Sequence, residues 1–195
     1  MQGSESMLAS QQIVEMILRL ICKKPSDSEE LKQNDLADAL GVSRMPVREA
    51  LALLSHDGYV LRLSNRHVHT YSLTNDFLRE NISLFAAAES ELFLALRNRR
   101  ILMDELICEM RATGLSATQT HQMFVNLCPN PYLKITLTNM LNGYFSAFCE
   151  IENYQDAGAF PQLLERCQNA LQSEVIIMFH EYFDAWMASC GDIKC

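Results

Sequence analysis

The chain has 195 residues, of which 49% are apolar, and its formal net charge is −8. This length and apolar fraction suffice for one or two domains with a buried core, and the chain has only seven glycines and five prolines. The composition therefore excludes disordered, collagen-like and linker-like chains. The acidic balance argues against a nucleic-acid partner unless positive charge is concentrated locally.

The N-terminal part of the chain predicts three helices. Apolar residues at helical spacing predict the first over 6–22. A short second helix ends at Gly41, since glycine is favoured where a helix stops. The third covers 44–56, with Ser43 as its N-cap and Pro46 in its first turn. Its predicted buried face consists of Val47, Ala50, Leu51 and Leu54.

After Asp57 and Gly58 the apolar pattern changes from helical spacing to alternation. Residues 59–63 and 67–71 predict two short strands around a tip at 64–66. Three helices with a tight glycine-containing turn, closed by such a hairpin, are typical of a winged helix-turn-helix. We therefore predict this domain over residues 1–72.

The rest of the chain, residues 73–195, predicts an all-α domain. Breaks are expected at Gly114, at 129–131 and at 158–161, because glycine and proline interrupt helices. The predicted helices cover 75–99, 101–113, 117–127, 131–151, 161–172 and 174–189. The expected fold class is mainly α: a winged helix-turn-helix with a two-stranded wing, followed by an antiparallel helical bundle.

The sequence predicts a cytoplasmic protein. It has neither a secretory signal nor an apolar run long enough to span a bilayer, so no membrane partner is expected. Its seven cysteines are scattered without C-x-x-C spacing, which indicates reduced thiols.

Positive charge is concentrated in the N-terminal domain. Residues 41–72 contain four arginines and two acidic residues, whereas residues 75–195 contain eight basic and fifteen acidic residues. The net charge of −8 therefore belongs mainly to the helical domain, and it does not exclude a DNA partner.

Residues 36–54 read LADALGVSRMPVREALALL and are followed by Asp57, Gly58, Tyr59 and Val60. This run resembles the GntR family of bacterial transcription regulators, over about residues 10–72. The helical remainder is similar to the ligand-binding and dimerisation domain of that family's FadR branch. The similarity rests on the helix content, the length and the Asn130-Pro131-x-Leu133 motif. The resemblance implies a homodimer that binds a palindromic DNA operator, most often as a repressor.

The third helix is the predicted recognition helix. Arg44 and Arg48 lie one turn apart, and their guanidinium groups suit guanine edges or phosphates. The resemblance implies a phosphate contact from Ser43 and base contacts from both arginines. Asn34 stands where many relatives carry a basic residue, and the wing tip lacks the usual glycine. The predicted DNA-binding residues are Asn34, Ser43, Arg44, Met45, Arg48, Asn65, Arg66 and His67.

The helical domain departs from the metal site of the resembled branch. Many FadR-branch members hold a divalent metal with one Asp and three His, which helps to bind a carboxylate effector. Here His121 stands in the Asp position, Val125 replaces the first His, and residues 164–166 offer no His. The Arg of the Arg-x-x-x-Glu pattern is also missing before Glu89. We therefore expect no metal cofactor.

An effector of this domain, where one exists, is expected to be neutral or apolar. The candidate pocket residues are His121, Phe124 and His180. The simpler interpretation of both histidines is a partly buried or surface side chain, and the aromatic residues favour core over pocket.

The predicted function is a sequence-specific transcription regulator. No enzyme activity is expected, because the sequence has no nucleophile signature, phosphate loop or carboxylate pair. One alternative is a redox-responsive regulator that uses an exposed thiol such as Cys190 or Cys195. Another is a helical dimerisation or interaction module that no longer binds DNA.

Overall fold

Helices dominate the computed structural model, which describes residues 2–23, 28–64, 67–145 and 158–190. The chain divides into two units: the first extends to Thr74 and the second begins at Asn75. The predicted fold class is confirmed, since a winged helix-turn-helix is followed by a helical domain.

The first unit consists of three helices and a two-stranded sheet. Helices α1 and α2 both pack against α3. The core between them includes Ile17, Val47, Ala50 and Leu54, all fully buried. The elements are α1 (Gln2–Lys23), α2 (Gln33–Leu40), α3 (Arg44–His56), β1 (Leu61–Arg62) and β2 (Val68–His69).

The turn between α2 and α3 forms at Gly41. Its φ of 67° is left-handed, a conformation that glycine adopts without strain. The N–H of Val42 donates to the Ala37 carbonyl at 3.1 Å, which satisfies a carbonyl at the end of α2. Ser43 occupies the N-cap position of α3 in an extended conformation, but its side chain makes no capping hydrogen bond.

The sheet of the wing is shorter than predicted, and it has an additional edge. Strands β1 and β2 are antiparallel, with Leu61 opposite His69. Glu30 forms an isolated bridge to His69, and the Leu31 N–H donates to the Val68 carbonyl at 2.7 Å. The segment 28–31, which the sequence analysis did not identify as extended, therefore lies along β2.

The second unit is helical throughout its described residues. Helix α4 packs along α9, α5 packs against α8, and α6 packs against α7. The elements are α4 (Asn75–Leu96), α5 (Arg100–Thr113), α6 (Ala117–Asn126), α7 (Pro131–Met140), a π-helical turn (Leu141–Phe145), α8 (Ala159–Cys167) and α9 (Gln172–Cys190). No helix in the described ranges is both long enough and apolar enough to cross a membrane.

Two helix starts in this unit follow directly from local sequence. Ser116 accepts from the Gln119 N–H, and the Gln119 side chain accepts from the Ser116 N–H, so the two form a capping box. Asn130 caps α7 by accepting from two backbone N–H groups, and Pro131 occupies the first turn.

The predicted helix over 131–151 is interrupted at 141–145. Helix α7 ends at Met140, and a π-helical turn follows over Leu141–Phe145. Gly143 has φ −85° and ψ −126°, which is outside the helical region, so the regular helix cannot continue through it. Residues 146–151 lie outside the described ranges.

Thr70 fixes the added edge of the wing, and its hydroxyl provides a test. The Thr70 side chain is largely buried, and its Oγ1 accepts from the Glu29 N–H at 2.9 Å. We expect Thr70→Val to destabilise the first unit by about 1–2 kcal/mol, because it leaves a backbone donor without its acceptor. Hydrogen exchange should show faster exchange of the Glu29 amide, whereas Thr70→Ser, which keeps the hydroxyl, should retain its protection. Equal exchange in both variants would contradict this role.

Candidate functional site

Helix α3 separates an apolar face from a polar face. Val47, Ala50, Leu51 and Leu54 are buried, as predicted. Arg44, Arg48 and Met45 are exposed on the other side, and Met45 is 57% exposed. The helix is therefore held to its domain by one face and offers two guanidinium groups on the other.

The exposed side chains of α2 and α3 form a connected patch. Arg44 Nη1 donates to Asn34 Oδ1 at 3.4 Å, and Arg48 Nη2 lies 3.1 Å from Met45 Sδ. Ser43 is exposed at the N-terminal end of α3. The structure thus brings together the residues that were predicted on these two helices.

The wing lies beside this patch. His67 Nδ1 pairs with the carboxylate of Glu30 on the added edge segment. Asn65 and Arg66, the other predicted wing residues, lie outside the described residues. A cleft of about 330 Å³ is lined by Glu30, Leu31, Lys32, Gln33, Asn34, His67 and Val68. Asn34 and His67 therefore border one cleft.

Sequence reasoning missed Glu30 and Lys32 in this region. Glu30 is 37 positions from His67 in the chain, and no local pattern links the two. The only available signal was the polar run that precedes α2, and that signal is equally typical of a loop.

Three helices with a tight turn before the third, closed by a hairpin, define a winged helix-turn-helix, a class of DNA-binding domain. Residues 9–69 match the family model for bacterial regulatory proteins of the gntR family. The N-terminal unit therefore resembles the DNA-binding domain of that family. The match ends at residue 69, so the FadR branch stays a prediction.

The chain is similar to solved structures at low sequence identity. One is from Listeria monocytogenes and is described as Lar, which controls the expression of the agr system. It has 14% identity and a TM-score of 0.56, and the match covers 92% of this chain and 94% of that chain. Escherichia coli McbR/YncC has 15% identity and a TM-score of 0.46, with coverages of 93% and 96%. A GntR family member from Pseudomonas syringae has 19% identity and a TM-score of 0.42, with coverages of 92% and 84%. No curated protein sequence matches the chain significantly.

The interior of the helical unit contains a buried polar chain. Glu89 on α4 and His121 on α6 are both 0% exposed, and His121 Nδ1 lies 2.9 Å from each carboxylate oxygen of Glu89. His121 Nε2 lies 3.1 Å from the hydroxyl of Tyr182 on α9. The expectation of a partly buried or surface side chain is wrong for His121, because its carboxylate partner makes full burial possible.

Aromatic rings surround this histidine. The centroid of the His121 ring lies 3.9 Å from that of Phe160, 5.2 Å from Phe145 and 5.4 Å from Phe183. Phe124 is fully buried and packs edge-on against Phe160 at 5.6 Å. His121 and Phe124 thus share one cluster. His180 is half-buried on α9, and the ring contacts found among the described residues do not connect it to this cluster.

The donors around His121 do not fit a divalent metal. Both imidazole nitrogens are already engaged, by Glu89 and by Tyr182. Val125, which replaces an expected ligand, is buried and has no donor atom. The described residues contain no group of three or more His, Cys, Asp or Glu side chains placed to hold a metal ion.

The cysteines differ in accessibility. Burial raises the pKa of the Cys22 thiol to about 12 and that of the Cys167 thiol to about 11. Cys108 is exposed on α5. The side chain of Cys190 and the whole of Cys195, which the redox alternative named, lie outside the described residues.

This difference predicts a labelling order. Because the thiolate is the reactive form, a thiol with a raised pKa stays protonated and inert until the pH approaches that value. At pH 8 we expect iodoacetamide to modify Cys108 and to leave Cys22 and Cys167 unmodified, as read by peptide mass mapping. Denaturant should make all three reactive. Equal labelling of Cys22 and Cys108 in the native protein would contradict the burial of Cys22.

The buried Glu89–His121 pair predicts a large loss of stability when Glu89 is replaced. Glu89→Gln replaces one of the two carboxylate oxygens that face His121 Nδ1 by an amide NH2 group, and breaking such a buried polar pair costs about 3 kcal/mol. Urea denaturation of the helical unit should show this loss. Glu165→Gln is the matched control, because Glu165 pairs with Arg111 at 2.7 Å on the surface, where solvent screens the pair. Equal losses in the two variants would contradict the role of burial.

Proposed function

We propose that this protein is a sequence-specific transcription regulator that binds a palindromic operator as a homodimer and acts as a repressor in the cytoplasm. The observation that carries the proposal is the exposed pair Arg44 and Arg48 on the free face of α3, within a domain that matches the gntR family model. Guanidinium groups at the N-terminal end of such a helix can reach guanine edges in the major groove. The proposed function is regulation rather than catalysis.

The proposed contact surface extends from α3 to α2 and the wing. The hydrogen bond from Arg44 to Asn34 orients one guanidinium group. Asn34 and His67 border the same cleft, so a DNA backbone that follows α3 would pass both. Ser43, Met45, Asn65 and Arg66 complete the proposed set.

Charge supports DNA binding of modest non-specific strength. Residues 41–72 carry only two more basic than acidic residues. Few phosphates per monomer would be neutralised, so tight binding would depend on two domains that engage two half-sites together. The half-sites would then lie about one helical turn apart.

Control would come from the helical unit. A small-molecule effector bound there would shift the population between two arrangements of the paired DNA-binding domains. We propose that this control does not use a metal, because both nitrogens of His121 are engaged and Val125 offers no donor.

Arg48→Ala should weaken binding to the operator by about 10- to 100-fold, the range set by one good base contact. A gel shift with the upstream region of the protein's own gene measures this loss. Arg79→Ala is the matched control, since Arg79 is an exposed arginine on α4 of the other unit, and it should bind as the native chain does.

Three further outcomes of the same assay bear on the proposal. A stoichiometry of two chains per operator supports the homodimer. A shallow dependence of affinity on salt per monomer agrees with few phosphate contacts, whereas a steep dependence contradicts it. No binding at low salt would overturn DNA binding and favour the interaction module.

A further inference from the structure

Met45 is an exposed apolar side chain on the face of α3 that carries the two arginines. It is 57% exposed, whereas Val47 and Leu54 on the opposite face are fully buried. Isolated apolar side chains are ordinary on protein surfaces, so exposure by itself assigns no role to Met45. Its position does, because Met45 is the second residue of α3, and the first residues of a recognition helix are those that contact base edges.

The structure couples Met45 to Arg48. Arg48 Nη2 donates to Met45 Sδ at 3.1 Å, so the thioether and the guanidinium group lie side by side on the exposed face. Arg44 is engaged elsewhere, since its Nη1 donates to Asn34 Oδ1 on α2. The terminal methyl group of Met45 is bonded to this sulfur, and it therefore lies next to the guanidinium group of Arg48.

The chemistry of the major groove determines which base suits such a side chain. Among the four bases, thymine alone presents a methyl group there, at C5, and apolar side chains contact that methyl group favourably. Against adenine, guanine or cytosine, methionine would cover an amino group or a carbonyl oxygen without offering it a strong hydrogen-bond partner. Thymine is therefore the base that an exposed methionine fits.

We propose that Met45 contacts the C5 methyl group of a thymine in the base pair next to the one that Arg48 contacts, and that it thereby determines sequence specificity at this position. The rise between base pairs is about 3.4 Å, close to the distance between Met45 Sδ and Arg48 Nη2, so the two side chains reach neighbouring pairs. This inference rests on the proposed function, since it requires that α3 enter the major groove. Arg48 then provides hydrogen-bond donors, and Met45 provides an adaptable apolar contact.

Uracil in place of thymine removes this methyl group and changes no hydrogen-bonding group, so it tests the contact directly. The operator is first selected by the native full-length chain from random duplexes, and each thymine of its half-sites is then replaced by deoxyuridine in turn. We expect one position per half-site at which the replacement weakens binding by about 4-fold, the factor for burial of one methyl group. Fluorescence anisotropy at a fixed salt concentration measures the dissociation constants.

Met45→Gln is the matched variant, because glutamine has nearly the same length but a polar end. Met45 is exposed, so the substitution leaves the buried face of α3 intact. This variant should bind the thymine and uracil forms of the operator with equal affinity. Met45→Leu keeps an apolar side chain, and it should therefore keep the dependence on the methyl group.

Equal affinity of the native chain for the thymine and uracil forms at every position would overturn the inference. An equal loss in the native chain and in Met45→Gln would also overturn it, because another group would then contact the methyl group. Either result leaves the proposed function standing where Arg48→Ala weakens operator binding. Failure of the native chain to select any duplex would instead overturn the proposed function, and this inference with it.

Discussion

Helix α3 must bury one face and leave the other free, and the organisation of the DNA-binding unit depends on this constraint. Val47, Ala50 and Leu54 are fully buried against α1 and α2, so the helix has a single orientation in its domain. That orientation presents Arg44 and Arg48 outward. The left-handed Gly41 allows α2 to end and the chain to turn just before α3 begins. Core packing and the exposed arginine face are therefore two consequences of one amphipathic pattern.

The helical unit meets a different constraint, because it buries a carboxyl group and an imidazole. Glu89 and His121 lose their hydration completely, and the loss is offset by their mutual contact and by the Tyr182 hydroxyl. Phenylalanine rings fill the remaining space around the imidazole. At a position where the resemblance to the FadR branch predicts a metal ligand, His121 pairs with Glu89 inside an aromatic core.

The sequence predicted the features that local chemistry determines. The bounds of α3 and the helix stop at Gly41 were predicted correctly, because capping and periodicity act within a few residues. The edge segment at 28–31 and the burial of His121 were not predicted. Each depends on a partner far along the chain: Thr70 is 41 positions from Glu29, and Glu89 is 32 positions from His121. The early end of α7 was missed because Gly143 lies within an otherwise helical apolar pattern, where glycine is often tolerated.

The pairing of segment 28–31 with β2 has a consequence for the rate and energetics of association. Backbone hydrogen bonds and the Glu30–His67 pair join the wing to the residues that lead into α2. The wing base is therefore ordered before any ligand arrives, and less conformational entropy is lost when it docks. A wing whose base is already ordered favours binding between preformed surfaces over folding of the wing on contact with its partner. Differences in affinity between related sites would then arise mainly from how fast the complexes dissociate.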